Sequence, residues 1–166
     1  MKKQKSIGNK GFSLVELIIV IAIMAILIGV MAPQLLRYVE RTRVSSDTQL
    51  ADSVRTAVRT AMMDPVVIND DSATSAIAVF NSAAPNRTSA VNLTTLGGTM
   101  FGDAIMETLG VSALADVADD LQSTPVNASS NMEILVWSQG GNDVGVVITN
   151  SNDGSGSGTG HEIVVE

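Results

Sequence analysis

Lys10-Gly11-Phe12-Ser13-Leu14-Val15-Glu16 closes a lysine-bearing leader and opens an apolar run from Phe12 to Ala32, 21 residues with Glu16 as the one ionisable group. At 1.5 Å rise per residue a helix of that run is roughly 30 Å long, the thickness of a bilayer's hydrocarbon core. Lys2, Lys3, Lys5 and Lys10 precede the run, and the first basic residue after it is Arg37. The positive-inside rule therefore predicts a single-pass membrane segment with a cytoplasmic N-terminus, and everything after Pro33 outside. A secretory signal peptide also has basic residues before an apolar stretch, and Met24-Ala25 or Met31-Ala32 would then mark the cut. Two features oppose it: the run exceeds the usual h-region, and an amphipathic pattern continues beyond Pro33 with no intervening loop.

A carboxylate near the start of a membrane helix is costly, so Glu16 is expected to have a partner. The Gly11-Phe12 junction, with Glu16 four residues beyond Phe12, resembles the processing site of type IV prepilins. That resemblance implies cleavage between Gly11 and Phe12 by a prepilin peptidase, N-methylation of Phe12, and a role for Glu16 in assembly, pairing with the new amine of a neighbouring subunit. The physics agrees, because a carboxylate and an ammonium that are each costly to desolvate offset much of that cost when paired. Pro33 stands 21 residues after the new N-terminus, where many type IV pilins have a proline. In a helix it removes one backbone donor and favours a kink. Where the family often has a glycine, this chain has Ala25; its glycine in the segment is Gly29, so any loosening of the helix is expected between Gly29 and Pro33.

From residue 34 to 63 the pattern predicts the same helix continuing into solvent. Leu36, Val39, Leu50, Val54, Val58, Ala61 and Met62 recur at helical steps, with an apolar stripe from about Leu50 to Met62. A helix from Phe12 to Met63 would be roughly 78 Å long, so its second half is expected to pack on a head domain. Asp64-Pro65 is the stop signal. The chain thus divides into a leader (1–11), an apolar membrane or filament-core helix (12–33), an amphipathic helix (34–63) and a single head (64–166).

Residues 64–130 are rich in Ala, Ser, Thr and Asn and read as a connecting region. Short helices are expected at Ser75–Phe80, at Phe101–Leu109 closed by Gly110, and at Ala113–Leu121 with Ser112 as N-cap. In residues 131–166, Glu133–Ser138, Val144–Thr149 and Glu162–Val165 are rich in Val and Ile and separated by Gly- and Asn-rich stretches, which predicts a three-stranded antiparallel meander. The expected fold class is α+β. The resemblance implies more, namely the pilin lollipop, a long N-terminal helix packed on a small antiparallel C-terminal sheet.

The net charge is −7. Residues 64–166 hold one basic side chain, Arg87, against thirteen acidic ones, whereas residues 12–63 hold five arginines and four acids. Such a head disfavours nucleic acid, whose phosphates require Lys and Arg clusters. Arg37, Arg41, Arg43, Arg55 and Arg59 are candidates for pairing with acidic groups of neighbouring subunits or along the helix itself. The chain has no cysteine, so it lacks the C-terminal disulfide of many Gram-negative pilins and is similar in this to pilins of Gram-positive anaerobes.

Catalytic constellations are sparse. His161 is the one histidine, with no nucleophile motif beside it, and Asp116, Asp119 and Asp120 fall on an expected helix as a solvated face. The stretch from Asn150 to Gly160 is oxygen- and glycine-rich, a composition that can wrap Ca²⁺, and Asp153 is its one carboxylate; the spacing is not that of an EF-hand, and a hairpin loop is the expected reading. Sequons at Asn86, Asn92 and Asn127 arise easily in such a composition. No catalytic group, cofactor or bound metal is expected.

The reading is therefore a structural subunit of a type IV pilus, stored in the membrane and polymerised through its N-terminal helix into a surface filament serving motility, adhesion, aggregation or DNA uptake. The partners implied by the resemblance are a prepilin peptidase, a membrane platform, an assembly ATPase and further copies of the chain. The alternatives are a pseudopilin of a type II secretion or competence system, and a minor pilin acting as an adhesin.

Overall fold

The computed structural model describes residues 11–70, 77, 78, 80, 90–123, 132–140, 143–149 and 162–166. It divides into two units, residues up to Val39 and residues Glu40–Glu166. Helix α1 runs from Leu14 to Met63 with Pro33 inside it. In the first unit the apolar side chains are exposed throughout: Leu14, Ile18, Ile21, Leu27 and Met31 each keep half or more of their surface.

The second unit has a core of its own. Its helical part buries Ala51, Val54, Ala57, Val58, Ala61 and Met62, the stripe that the periodicity predicts, with Leu50 packed at its edge. Each fully buried valine there stabilises by about 1.5–3 kcal/mol. Asp64 ends α1 in extended geometry, and its carboxylate accepts from the Val66 N–H at 2.8 Å, capping the short helix α2 (Pro65–Ile68). Proline at the first helical position costs nothing there, because its missing N–H would have had no partner.

Among the described residues the sheet has four strands rather than three. β1 (Val91–Asn92), β2 (Glu133–Gly140), β3 (Asp143–Thr149) and β4 (Glu162–Val165) are antiparallel in the order β1-β2-β3-β4. The added strand pairs Val91 with Val136 and Asn92 with Leu135; two residues carry no periodicity for a pattern to reveal. The three expected strands are present, with β2 lengthened to Gly140 and β3 begun at Asp143. Ile134, Val136, Val144, Val146, Ile148 and Ile163 share one core with the α1 stripe. Leu135, Trp137 and Val147 form a second cluster from the alternate positions of the strands. The β2–β3 register sets Trp137 opposite Gly145, and the indole fills the space a side chain at 145 would need.

A 3₁₀ turn (Leu93–Leu96) follows β1, capped by the Asn92 side chain. Helix α3 (Met100–Leu109) matches the expected one, with Thr99 as N-cap and Gly110 in the left-handed region at φ 72°. Helix α4 (Leu114–Asp119) is shorter than Ala113–Leu121, and Ser112 is not its cap. Ala113 takes the cap position, and its N–H donates to the Asp116 carboxylate at 3.0 Å. The carboxylate in the first turn thus forms the acidic half of a capping box, and the expected N-cap hydroxyl has no counterpart. Of the expected helix Ser75–Phe80, Ile77, Ala78 and Phe80 are described and helical, and the buried Phe80 ring meets Phe101 at 6.3 Å.

Candidate functional site

Gly11, Phe12 and Ser13 lie before the first helical residue, Leu14. Phe12 is 92 % exposed, and nothing stands within 4 Å of where a side chain on Gly11 would begin. The Gly11-Phe12 peptide bond therefore sits in open, non-helical backbone, the conformation in which a protease can take hold of a chain. Ser13 occupies the N-cap position, and its backbone N–H donates to Glu16 Oε2 at 2.8 Å. Ser13-Leu14-Val15-Glu16 thus has the spacing of a capping box, with the acidic half of that box formed. The carboxylate also stands at the N-terminal, positive end of the helix dipole.

Downstream of Glu16, α1 is long and apolar enough to cross a membrane, and none of that window is buried in the structure. Such a surface needs a cover, either lipid or protein. Pro33 has no N–H to offer the carbonyl of Gly29, so the helix loses one rung there while remaining assigned as helix on both sides. Gly29 has nothing within 4 Å of its missing side chain, so no close approach inside the chain calls for a glycine at that position.

Two polar features of the second unit have no counterpart among the sequence expectations. Asp47 is 1 % exposed, and its carboxylate accepts from the backbone N–H groups of Gln122 and Ser123, both at 2.9 Å. It fixes the segment after α4 to α1. Its position was readable: Asp47, Ala51, Val54 and Val58 follow steps of four, three and four, so the carboxylate lies in phase with the buried stripe. The second feature is a clamp around Asp143. Arg55 Nε donates to the Val144 carbonyl at 2.7 Å, and Arg55 Nη2 lies 3.0 Å from Asp143 Oδ1, with Arg59 Nη1 at 3.8 Å from the same oxygen. The Val144 N–H donates to Asp143, and that bond, followed by the neighbouring Arg55, holds its carboxyl below the ordinary value of 3.8. Two of the five arginines are thereby used inside the chain.

Among the described residues no group of three His, Cys, Asp or Glu could hold a metal ion. Asp153 and His161 lie outside the described residues. A cleft of about 200 Å³ is lined by Asn92, Leu93, Thr94, Leu114, Ala118, Met132, Glu133 and Ile134; its one hydroxyl, that of Thr94, donates to the Asn92 side chain at 2.8 Å.

The family model described as the prokaryotic N-terminal methylation motif matches residues 8–32. The chain is also similar to the type IV major fimbrial protein FimA of Dichelobacter nodosus, 42 % identical over 56 residues, which covers 34 % of this chain and 36 % of that one. A fimbrial protein of Moraxella nonliquefaciens is 43 % identical over 53 residues, covering 32 % and 34 % of the two chains. The chain thus spans about a third of the length of the curated relatives it matches. No solved structure matches.

Proposed function

We propose that this chain, whose N-terminal third is similar to that of type IV fimbrial proteins, is a filament subunit stored in the membrane through its apolar helix and polymerised by transferring that helix from lipid to other copies of itself. The observation that carries this reading is the fully exposed apolar face of α1 through Leu36, interrupted by a single carboxylate close to its start. An anchor alone would be better without Glu16; a helix that must also select its register among identical helices has a use for it.

In this mechanism a prepilin peptidase cuts between Gly11 and Phe12, in the stretch that precedes helical structure, and methylates the amine of Phe12. Glu16, already held at the helix terminus by the Ser13 N–H, then offers its remaining lone pairs to the amine of a neighbouring copy. The N-terminus faces the cytoplasm in the precursor, where an assembly ATPase acts through a membrane platform. Gly29 and Pro33 mark the segment where the helix is free to loosen as it enters the filament. The acidic heads face solvent on the filament surface.

Immunogold electron microscopy of producing cells with an antibody against the head tests the reading. Labelled surface filaments, lost on deletion of the coding sequence and restored by its return, are the expected result. Label confined to the cell envelope, with no filament, would overturn it in favour of a pseudopilin.

A further inference from the structure

Arg37 and Arg41 stand one helical turn apart on α1, both exposed. The structure accounts for the other three arginines: Arg55 and Arg59 converge on Asp143, and Arg43 pairs with Glu40 at 3.7 Å. Among the described residues neither Arg37 nor Arg41 has a hydrogen bond or ion pair from its side chain. In a chain of net charge −7, two guanidinium groups without a carboxylate are conspicuous, because acidic side chains are in excess everywhere beyond Asp64. On the head, Asp103 and Glu107 on α3 and Asp119 and Asp120 at the end of α4 are exposed, and none has a side-chain partner among the described residues.

We propose that the Arg37–Arg41 face of α1 is a docking surface for the acidic head of a second copy of this chain. The inference rests on the filament reading above and adds to it where the second contact between copies lies. Charge complementarity names the occupant, since the missing carboxylates are supplied in excess by the same sequence. Leu35, Leu36 and Tyr38, interleaved with the arginines, are more than 60 % exposed and continue the apolar surface that other copies cover in a filament. Guanidinium groups on such a margin form planar, two-pronged pairs with carboxylates as they are desolvated. A single exposed ion pair contributes little. Repeated at every subunit of a polymer, the same pair fixes orientation and penalises wrong neighbours.

The test is Arg37→Glu/Arg41→Glu in the full chain in producing cells, reading both the processed subunit in the envelope and the filaments sheared from the surface. The processed subunit should be unchanged, while the filament yield falls by about tenfold or more, as expected when like charges are set against each other. Reversing the partner by Asp119→Arg/Asp120→Arg, or by Asp103→Arg/Glu107→Arg, should restore a substantial part of the yield. Filaments at the wild-type yield from the arginine variant would overturn this inference alone. Failure of both rescues would remove the acidic head as the occupant. Loss of processed subunit from the membrane, in proportion to the loss of filaments, would instead assign the arginines to lipid phosphates. Absence of filaments from the wild-type chain would be a failure of the filament reading itself.

Discussion

The Ser13 N–H and the Glu16 carboxylate meet at 2.8 Å, so the carboxylate at the head of the apolar helix is also the cap of that helix. The proposed mechanism gives it a second duty, with a different chemical requirement. Capping needs an acceptor oxygen, whereas pairing with an ammonium needs a charge.

Glu16→Gln separates these duties, because the amide oxygen can still accept from Ser13 but carries no charge. Both Glu16→Gln and Glu16→Ala should be cleaved normally, and both should yield filaments at about a tenth of the wild-type level or less, as expected when a desolvated ammonium is left without its partner. Intact mass and sheared-filament yield measure the two steps. Near-normal yield from Glu16→Gln would mean that capping, not charge, is what assembly requires.

Asp47 is a second capping carboxylate, but a buried one. Asp47→Ala leaves the part-buried Gln122 N–H and the buried Ser123 N–H without their acceptor, and an unsatisfied buried donor costs about 1–3 kcal/mol. The expected loss is about 1–3 kcal/mol of head stability, read by denaturant unfolding of the full chain in detergent with Trp137 fluorescence as the probe. Asp47→Asn, which keeps one acceptor oxygen, should lose less.

The Asp143 clamp gives the head an acid-sensitive contact. Its carboxyl is held below 3.8 in the folded chain, so the charged form is bound more favourably there than in the unfolded chain. That contribution is fully present above the unfolded value and disappears as the pH falls through the folded one. Unfolding midpoints of the wild type should therefore drop as the pH goes below about 4, and Asp143→Asn should flatten that fall while lowering stability at neutral pH. An unchanged acid limb in the variant would show that the clamp is not its source.

Gly102 tests the close packing at the start of α3. Thr99 Oγ1 donates to the Leu96 carbonyl at 2.8 Å and accepts from the Gly102 N–H at 3.0 Å. A methyl group at 102 would collide with that same backbone carbonyl. Alanine is the better helix former by about 1 kcal/mol, but a clash with backbone cannot relax by a rotamer change. Gly102→Ala should therefore lower the unfolding midpoint, and a rise would contradict the packing described here.

The periodicity of Leu50 to Met62 and the Val- and Ile-rich strands were legible because burial imposes a period on several residues in succession. β1 was not legible, since Val91-Asn92 are held by pairing with Val136 and Leu135 rather than by any pattern of their own. The cap of α4 misled for a local reason: the helix begins at Leu114, so Ala113 rather than Ser112 holds the N-cap position, and the Asp116 carboxylate accepts from the Ala113 N–H. The Arg55–Asp143 pair joins residues 88 positions apart, and no spacing rule links such positions. At the N-terminus the motif Gly11-Phe12-Ser13-Leu14-Val15-Glu16 suggested the processing site, and the matched methylation motif covers those residues; the Ser13 to Glu16 hydrogen bond was latent in the same letters as a capping box.

The processing and polymerisation of this chain are tested most directly by intact-mass and N-terminal analysis of material sheared from the surface of producing cells. The account predicts an abundant filament fraction whose dominant species begins at Phe12 and carries one methyl group on its amine. A dominant species that still begins at Met1 would contradict it.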